Sequence, residues 1–131
     1  QYGKSSRNAY SFINDIEGIQ KRLLKVVIEN KNFSELIEQY DKETTLFYCD
    51  PPYYKSEKRY IKDIVFGKQE HILLYETLCN IKGKFVLSYN NDDFIKELYK
   101  EFDIQEVERK SNLSNCNGKT QVYKELIITN F

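Results

Sequence analysis

The residues Asp50-Pro51-Pro52-Tyr53 hold both prolines of the chain and directly follow an apolar run ending at Cys49. Ionised, Asp50 accepts hydrogen bonds and donates none. Proline lacks a backbone N–H, and residues before proline are pushed into extended geometry, so the corner is stiff and poor in donors. It offers two close acceptors, the Asp50 carboxylate and a neighbouring carbonyl such as that of Pro51. Together they suit both hydrogens of an NH2 group, with Tyr53 as a flat face beside them. Such a set fits a planar nitrogen base carrying an exocyclic amine. That amine is a poor nucleophile because its lone pair is delocalised into the ring. Two acceptors return density to nitrogen and stabilise the positive charge that grows there during alkyl transfer. Stacking on Tyr53 contributes about 1–3 kcal/mol, against a few kcal/mol needed to turn a base out of a duplex.

A corner of this kind needs a rigid scaffold, and the apolar spacing describes one. Residues 1–15 are polar and aperiodic and read as a loop. Ile16, Ile19, Leu23 and Leu24 predict a helix over 16–25, and "VVI" at 26–28 a short strand. Ser34 is placed to cap a helix over 35–40. "TTLFYC" at 44–49 reads as a strand covered on both faces. A helix over 68–81, ended by Gly83, leads to a strand at 84–89. "NNDD" then caps a helix at 94–102. Strands at 103–109 and 122–130 flank a hydrophilic loop containing Gly118 and predict a β-hairpin. The alternation is that of an α/β doubly wound fold. Ligands in such sheets bind outside the carboxyl ends of the strands, where Asp50 and the "SYNN" segment both fall.

Composition narrows the function classes. The 131 residues suffice for one domain, 40% are hydrophobic, and 20 basic residues balance 20 acidic ones. Zero net charge speaks against a purely electrostatic nucleic-acid coat but allows a local basic patch. No apolar run approaches the roughly 20 residues of a membrane span, and no signal-peptide layout opens the chain. Three cysteines without CxxC spacing and a single histidine make neither a disulfide framework nor a metal site, so reduced thiols in a cytoplasmic protein are expected. The set that a zinc base deaminase needs, His-x-Glu with Pro-Cys-x-x-Cys, is missing.

"TLFYCDPPYY" resembles the catalytic motif of S-adenosylmethionine-dependent amino-methyltransferases, specifically Dam-type DNA adenine methyltransferases. "RLLKVVIENKNFSELIEQYD", "FGKQEHILLYETL" with "GKFVLSYNN", and "SNLSNCNGKTQVYKELIITNF" resemble flanking segments of the same family, over roughly residues 16–131. The resemblance implies a Rossmann-like methyltransferase fold and methyl transfer from S-adenosylmethionine to the N6 amine of an adenine flipped from double-stranded DNA. It implies that Asp50 and Pro51 accept from that amine, that Pro52 stiffens the corner and that Tyr53 stacks on the base. Phe33 would pack on the cofactor's adenine, with Asn32 hydrogen-bonding its ring and Asp50 also facing the cofactor. Ser88 and Asn90 would line the target-base pocket. Tyr60, with Lys55, Lys58, Arg59 and Lys62, would reach DNA. Tyr48 and Tyr54 read as packing residues, and His71 as lying in the first turn of a helix.

The chain departs from a whole enzyme of that family, which begins with an aromatic-x-Gly-x-Gly loop; none of the five glycines here forms one. Residues 1–15 are therefore expected to be the tail of a recognition region. Residues 16–131 are expected to be the carboxyl-terminal part of a catalytic domain that ends in the hairpin and lacks its first strands and glycine loop. Such a piece should be inactive without its amino-terminal half, and its open sheet edge should invite rearrangement or homo-oligomerisation. Rival readings are methylation of another amine (cytosine in DNA, adenine in RNA, or protein glutamine) and a non-enzymatic DNA-binding remnant. A restriction-modification role accompanies the leading reading.

Overall fold

A computed structural model describes the backbone of residues 9–55, 66–114 and 120–131, and side chains over 16–55, 66–110 and 122–131. The chain divides into two compact units, Gln1–Asn30 and Lys31–Phe131. In the first, helix α1 runs from Ala9 to Leu23, starting well before the expected residue 16. The reason is visible in the sequence: Phe12 extends the Ile16, Ile19 and Leu23 spacing backward by one turn. The expected strand at 26–28 is not formed. Val26 N–H instead closes a turn on Leu23 O at 2.9 Å, and Val27 and Ile28 are largely exposed. Three β-branched residues with no strand to pair with gain nothing from extended geometry.

The second unit contains α2 (Phe33–Tyr40), β1 (Leu46–Cys49), α3 (Lys68–Cys79), β2 (Lys84–Asn90), α4 (Asp93–Leu98), β3 (Asp103–Ser114) and β4 (Thr120–Thr129). The sheet order is β1-β2-β4-β3. Strands β1 and β2 are parallel, with α3 as their crossover, and β4 lies antiparallel to both β2 and β3. This is a mixed α/β fold ending in the expected antiparallel hairpin. Among the described residues no helix is long and apolar enough to cross a membrane.

Strand alternation puts Phe47, Phe85, Leu87, Tyr89, Leu126 and Ile128 on one face. These pack with Ile37 of α2, Leu74 and Leu78 of α3, and Ile95 of α4 in one core. All three helices of this unit therefore serve the same face, whereas the helix and strand alternation predicts a doubly wound sheet. On the opposite face Leu46 and Tyr48 are 59% and 70% exposed. Strand β1 is thus not covered on both sides, and Tyr48 is not a packing residue.

Local chemistry fixes the element ends. Asn32, not Ser34, caps α2: its Oδ1 accepts from Ser34 N–H at 3.0 Å and from Ser34 Oγ at 2.8 Å. Asp92 caps α4 by accepting from Phe94 N–H at 2.9 Å. Helix α3 stops at Cys79, four residues short of Gly83. That glycine serves a close approach instead, since a Cβ there would sit 2.7 Å from Thr45 O and 2.9 Å from Lys42 O. The backbone can pass so near the segment leading into β1 only without a side chain.

Candidate active site

The parallel register pairs Cys49 with Leu87, so the next residues along, Asp50 and Ser88, emerge side by side at the carboxyl ends of two strands. Ser88 Oγ donates to Asp50 Oδ1 at 2.8 Å. Ser88 is buried, whereas Asp50 is exposed. The carboxylate therefore keeps access to a ligand while one oxygen is held by the scaffold. Ser88, expected against the target base, is bonded to Asp50 in the structure.

Asp50 and Pro51 stand at the edge of a cleft of about 240 Å³, whose other walls include Phe33, Leu36, Phe66 and Leu74. The Phe33 and Phe66 ring centroids are 5.9 Å apart, with their planes inclined by 52°. Cys49 also lines the cleft, and burial pushes its thiol up to about 11, making it an inert wall near neutrality. The lining is aromatic and aliphatic with one acid, which suits a flat heteroaromatic ring. Pockets that enclose whole drug-sized ligands start at about 300 Å³, so this cleft has room for a single ring. Phe33, expected to pack on a cofactor's ring, is one of these walls. Asn32 is at the adjoining helix cap with its Oδ1 engaged by Ser34. Phe66, Leu36 and Leu74 were not singled out beforehand; only the "FGKQE" stretch after the catalytic corner hinted at Phe66.

Beyond the prolines the chain is pinned on both sides. Tyr53 is half-buried, close enough to the Glu125 carboxylate of β4 to be influenced by its charge. Burial, and after it Glu125 and Asp50, push the phenol up to about 12 against an opposing effect of Arg109. Tyr54 packs edge-on to His71 with centroids 5.3 Å apart and lies 4.6 Å from the Phe94 ring. His71 in turn meets the Tyr89 hydroxyl at 2.6 Å through Nδ1. Tyr54 and His71 both serve packing. Asn90 Nδ2 donates to Tyr54 O at 3.3 Å, and its Oδ1 is buried with no hydrogen-bond partner among the described residues.

Lys55 follows with φ of 64°, a left-handed residue that turns the chain away. Its Nζ lies 2.8 Å from Asp92 Oδ2, so this lysine ties the corner to the cap of α4. Lys58, Arg59, Tyr60 and Lys62, expected to meet DNA, lie outside the described residues. Glu125 and Arg109, joined at 2.8 Å, were missed because a charged pair on a hairpin reads in sequence as ordinary exposed strand.

Two comparisons bear on this geometry. Residues 1–113 match the family described as D12 class N6 adenine-specific DNA methyltransferase. Over 111 residues the chain is 30% identical to the Type II methyltransferase M.CviBI of Paramecium bursaria Chlorella virus NC1A. That alignment covers 84% of this chain and 42% of the viral protein, so the match takes in less than half of this curated relative. An acidic, proline-stiffened corner at the end of a parallel strand, inside a match running from residue 1 to 113, supports one assignment: the chain belongs to the D12 class of N6 adenine-specific DNA methyltransferases.

Proposed function

We propose that this chain supplies the amine-binding corner, and the wall for the cofactor's ring, of an enzyme that methylates the N6 amine of an adenine flipped out of double-stranded DNA. The observation that carries the reading is Asp50: accessible, held by Ser88 at 2.8 Å, and at the lip of an apolar cleft. Asp50 and the Pro51 carbonyl take the two amine hydrogens, and Tyr53 provides the stacking face. S-adenosylmethionine, when bound, would supply the electrophilic methyl carbon, and Phe33 and Phe66 are the aromatic residues of the cleft that would hold its ring. The part of Asp50 and the Pro51 carbonyl is to hold the amine and to stabilise the positive charge that would grow on its nitrogen. One amine proton then leaves through the acceptors of the corner to solvent.

The same reading holds that residues 16–131 are the carboxyl-terminal part of the catalytic domain, residues 1–15 the end of a recognition region, and the chain nearly inactive alone. Supporting it are the lack of an aromatic-x-Gly-x-Gly stretch in the sequence, a cleft sized for a ring only, and the exposed Leu46 and Tyr48 on the uncovered sheet face. A polypeptide bearing the glycine loop docks there and completes the cofactor site. A cytoplasmic setting goes with this substrate.

The test is methylation of duplex DNA with labelled cofactor by the 131-residue chain, alone and with a D12-class amino-terminal half added in trans, followed by digestion to nucleosides. The mixture is expected to yield N6-methyladenine, and Asp50→Ala to abolish it. Methylcytosine as the sole product would refute the adenine assignment, and no product under any complementation would refute the enzyme reading.

A further inference from the structure

Resting on that reading, we propose that His71 is a positioning residue: its buried imidazole joins the aromatic wall of the cleft to the amine-binding corner and so fixes the spacing between them. Residue 71 is the chain's single histidine and is fully buried. It belongs to the buried face of α3 with Leu74 and Leu78. Its ring meets Phe66 with centroids 4.9 Å apart and planes inclined by 79°, and Tyr54 at 5.3 Å and 83°. Phe66 lines the cleft together with Asp50 and Pro51, and Tyr54 directly follows the corner in sequence. Near-perpendicular contacts of this kind are a favoured geometry of aromatic pairs. Both depend here on the orientation of one imidazole.

Each half of the link is built locally. Gly67 is the N-cap of α3, and Glu70 Oε2 accepts from its N–H at 2.7 Å. Phe66 therefore precedes the cap and His71 is the fourth helical residue, the two positions whose side chains staple an entering chain to the first turn. On the other side, the Tyr54 carbonyl accepts from Asn90 Nδ2 at 3.3 Å. What orients the imidazole is Tyr89 of β2, also fully buried, whose hydroxyl lies 2.6 Å from Nδ1. Polar groups in such a core are unfavourable unless joined, and an apolar pair of similar shape would be about as stable. A satisfied polar pair adds selection of one arrangement. Tyr89 also adjoins Ser88, which holds Asp50. Strand β2 thus sets the acid with one residue and the imidazole with the next, on opposite faces of the sheet.

The experiment has two arms, each run with Tyr89→Phe, His71→Phe and the double variant. Tyr89→Phe keeps every ring and removes one hydroxyl. In the first arm, iodoacetamide labelling of Cys49, which lines the same cleft, is followed in the 131-residue chain. Tyr89→Phe is expected to speed labelling about tenfold, at a rate unaffected by sub-denaturing urea, because local loosening exposes little new surface. The second arm is single-turnover methylation of duplex DNA by the chain complemented in trans. Tyr89→Phe is expected to slow transfer about tenfold through misplacement of the reacting groups. His71→Phe should act alike, and the double variant should be no more affected than the worse single, since both remove the same bond. Circular dichroism verifies folding, and should His71→Phe not fold, Tyr89→Phe decides alone.

Wild-type behaviour of Tyr89→Phe in either arm would overturn the proposal, because the link must move wall and corner together. So would labelling that accelerates with urea, which would leave the pair a role in global stability only, or multiplying effects in a folded double variant. Failure of this inference leaves wild-type N6-methyladenine formation and its loss in Asp50→Ala intact. Failure of the parent reading shows as no methyladenine from wild type, and sinks both.

Discussion

Ser88 Oγ and Asp50 Oδ1, 2.8 Å apart, join the carboxyl ends of two adjacent parallel strands. The bond restrains a carboxylate that would otherwise rotate freely at an exposed strand end, and it engages only one of its oxygens. Ser88→Ala is expected to slow methyl transfer about tenfold through misorientation of the acceptor. Loss of stability should be small, about 1 kcal/mol. Single-turnover rates beside thermal melts check this. A fall in rate matched by a large fall in melting temperature would make Ser88 a folding residue only.

Gly83→Ala is expected to destabilise the fold by about 1–3 kcal/mol, because the new methyl meets two carbonyl oxygens, Thr45 O and Lys42 O, at 2.7 and 2.9 Å. Neither oxygen is at the end of a flexible side chain. Moreover, Asp41 Oδ1 already accepts from Gly83 N–H at 2.9 Å, which holds the segment in place. Urea denaturation measures the change. A midpoint equal to wild type would mean that the β1 approach yields easily.

Much of this was readable from residue order, and the failures have physical causes. The acidic proline corner, the three core helices and strands β1, β2 and the terminal hairpin follow from apolar spacing and turn residues, which act locally. "VVI" misled because β propensity reports packing against a neighbour, and the sequence does not reveal whether the neighbour is there. The capping role went to Ser34 instead of Asn32 because both are good caps two residues apart and only the backbone angle decides. Glu125 was invisible for another reason: its burial is balanced by Arg109 on the neighbouring strand, a pairing that no periodicity encodes.

Cys49 lines the cleft beside Asp50, and burial pushes its thiol up to about 11. The thiolate is the reactive form, so below that value the group stays protonated. Alkylation by iodoacetamide at pH 8 is expected to be about a hundredfold slower than for a free cysteine, and to accelerate continuously as pH rises toward 11. Peptide mass spectrometry follows Cys49 directly. Rapid labelling at pH 8 would mean that the cleft floor opens to solvent.

Asp92 couples the segment after the proline corner to α4 through Lys55. Burial alone would raise its carboxyl, but the bonds from Lys55 and from Phe94 N–H outweigh that and hold it below its ordinary 3.8. A carboxylate whose folded-state value is depressed stabilises in full above the unfolded value, and the contribution fades as acid takes pH through the folded value. Asp92→Ala is expected to cost about 1 kcal/mol at neutral pH, chiefly as a lost helix cap. Asp92→Asn retains the cap and should recover most of it. The difference between wild type and alanine should shrink on acidification; a difference constant down to pH 2 would place the effect in packing.

Strand β1 ends the sheet, and among the described residues no strand pairs with its outer edge. Its outward side chains Leu46 and Tyr48 are 59% and 70% exposed. An open edge carries unpaired N–H and C=O groups in register, and an apolar face beside it adds a hydrophobic driving force to association. The 131-residue chain is therefore expected to self-associate, with a sedimentation coefficient that climbs with concentration. A lysine at position 48 places a charge on that face without touching the core, so Tyr48→Lys should stay monomeric at concentrations where wild type does not. Circular dichroism spectra should remain superimposable. A wild-type chain that sediments as a monomer at all concentrations would show that this edge is protected in solution. Equal association of the lysine variant would move the interface to another surface.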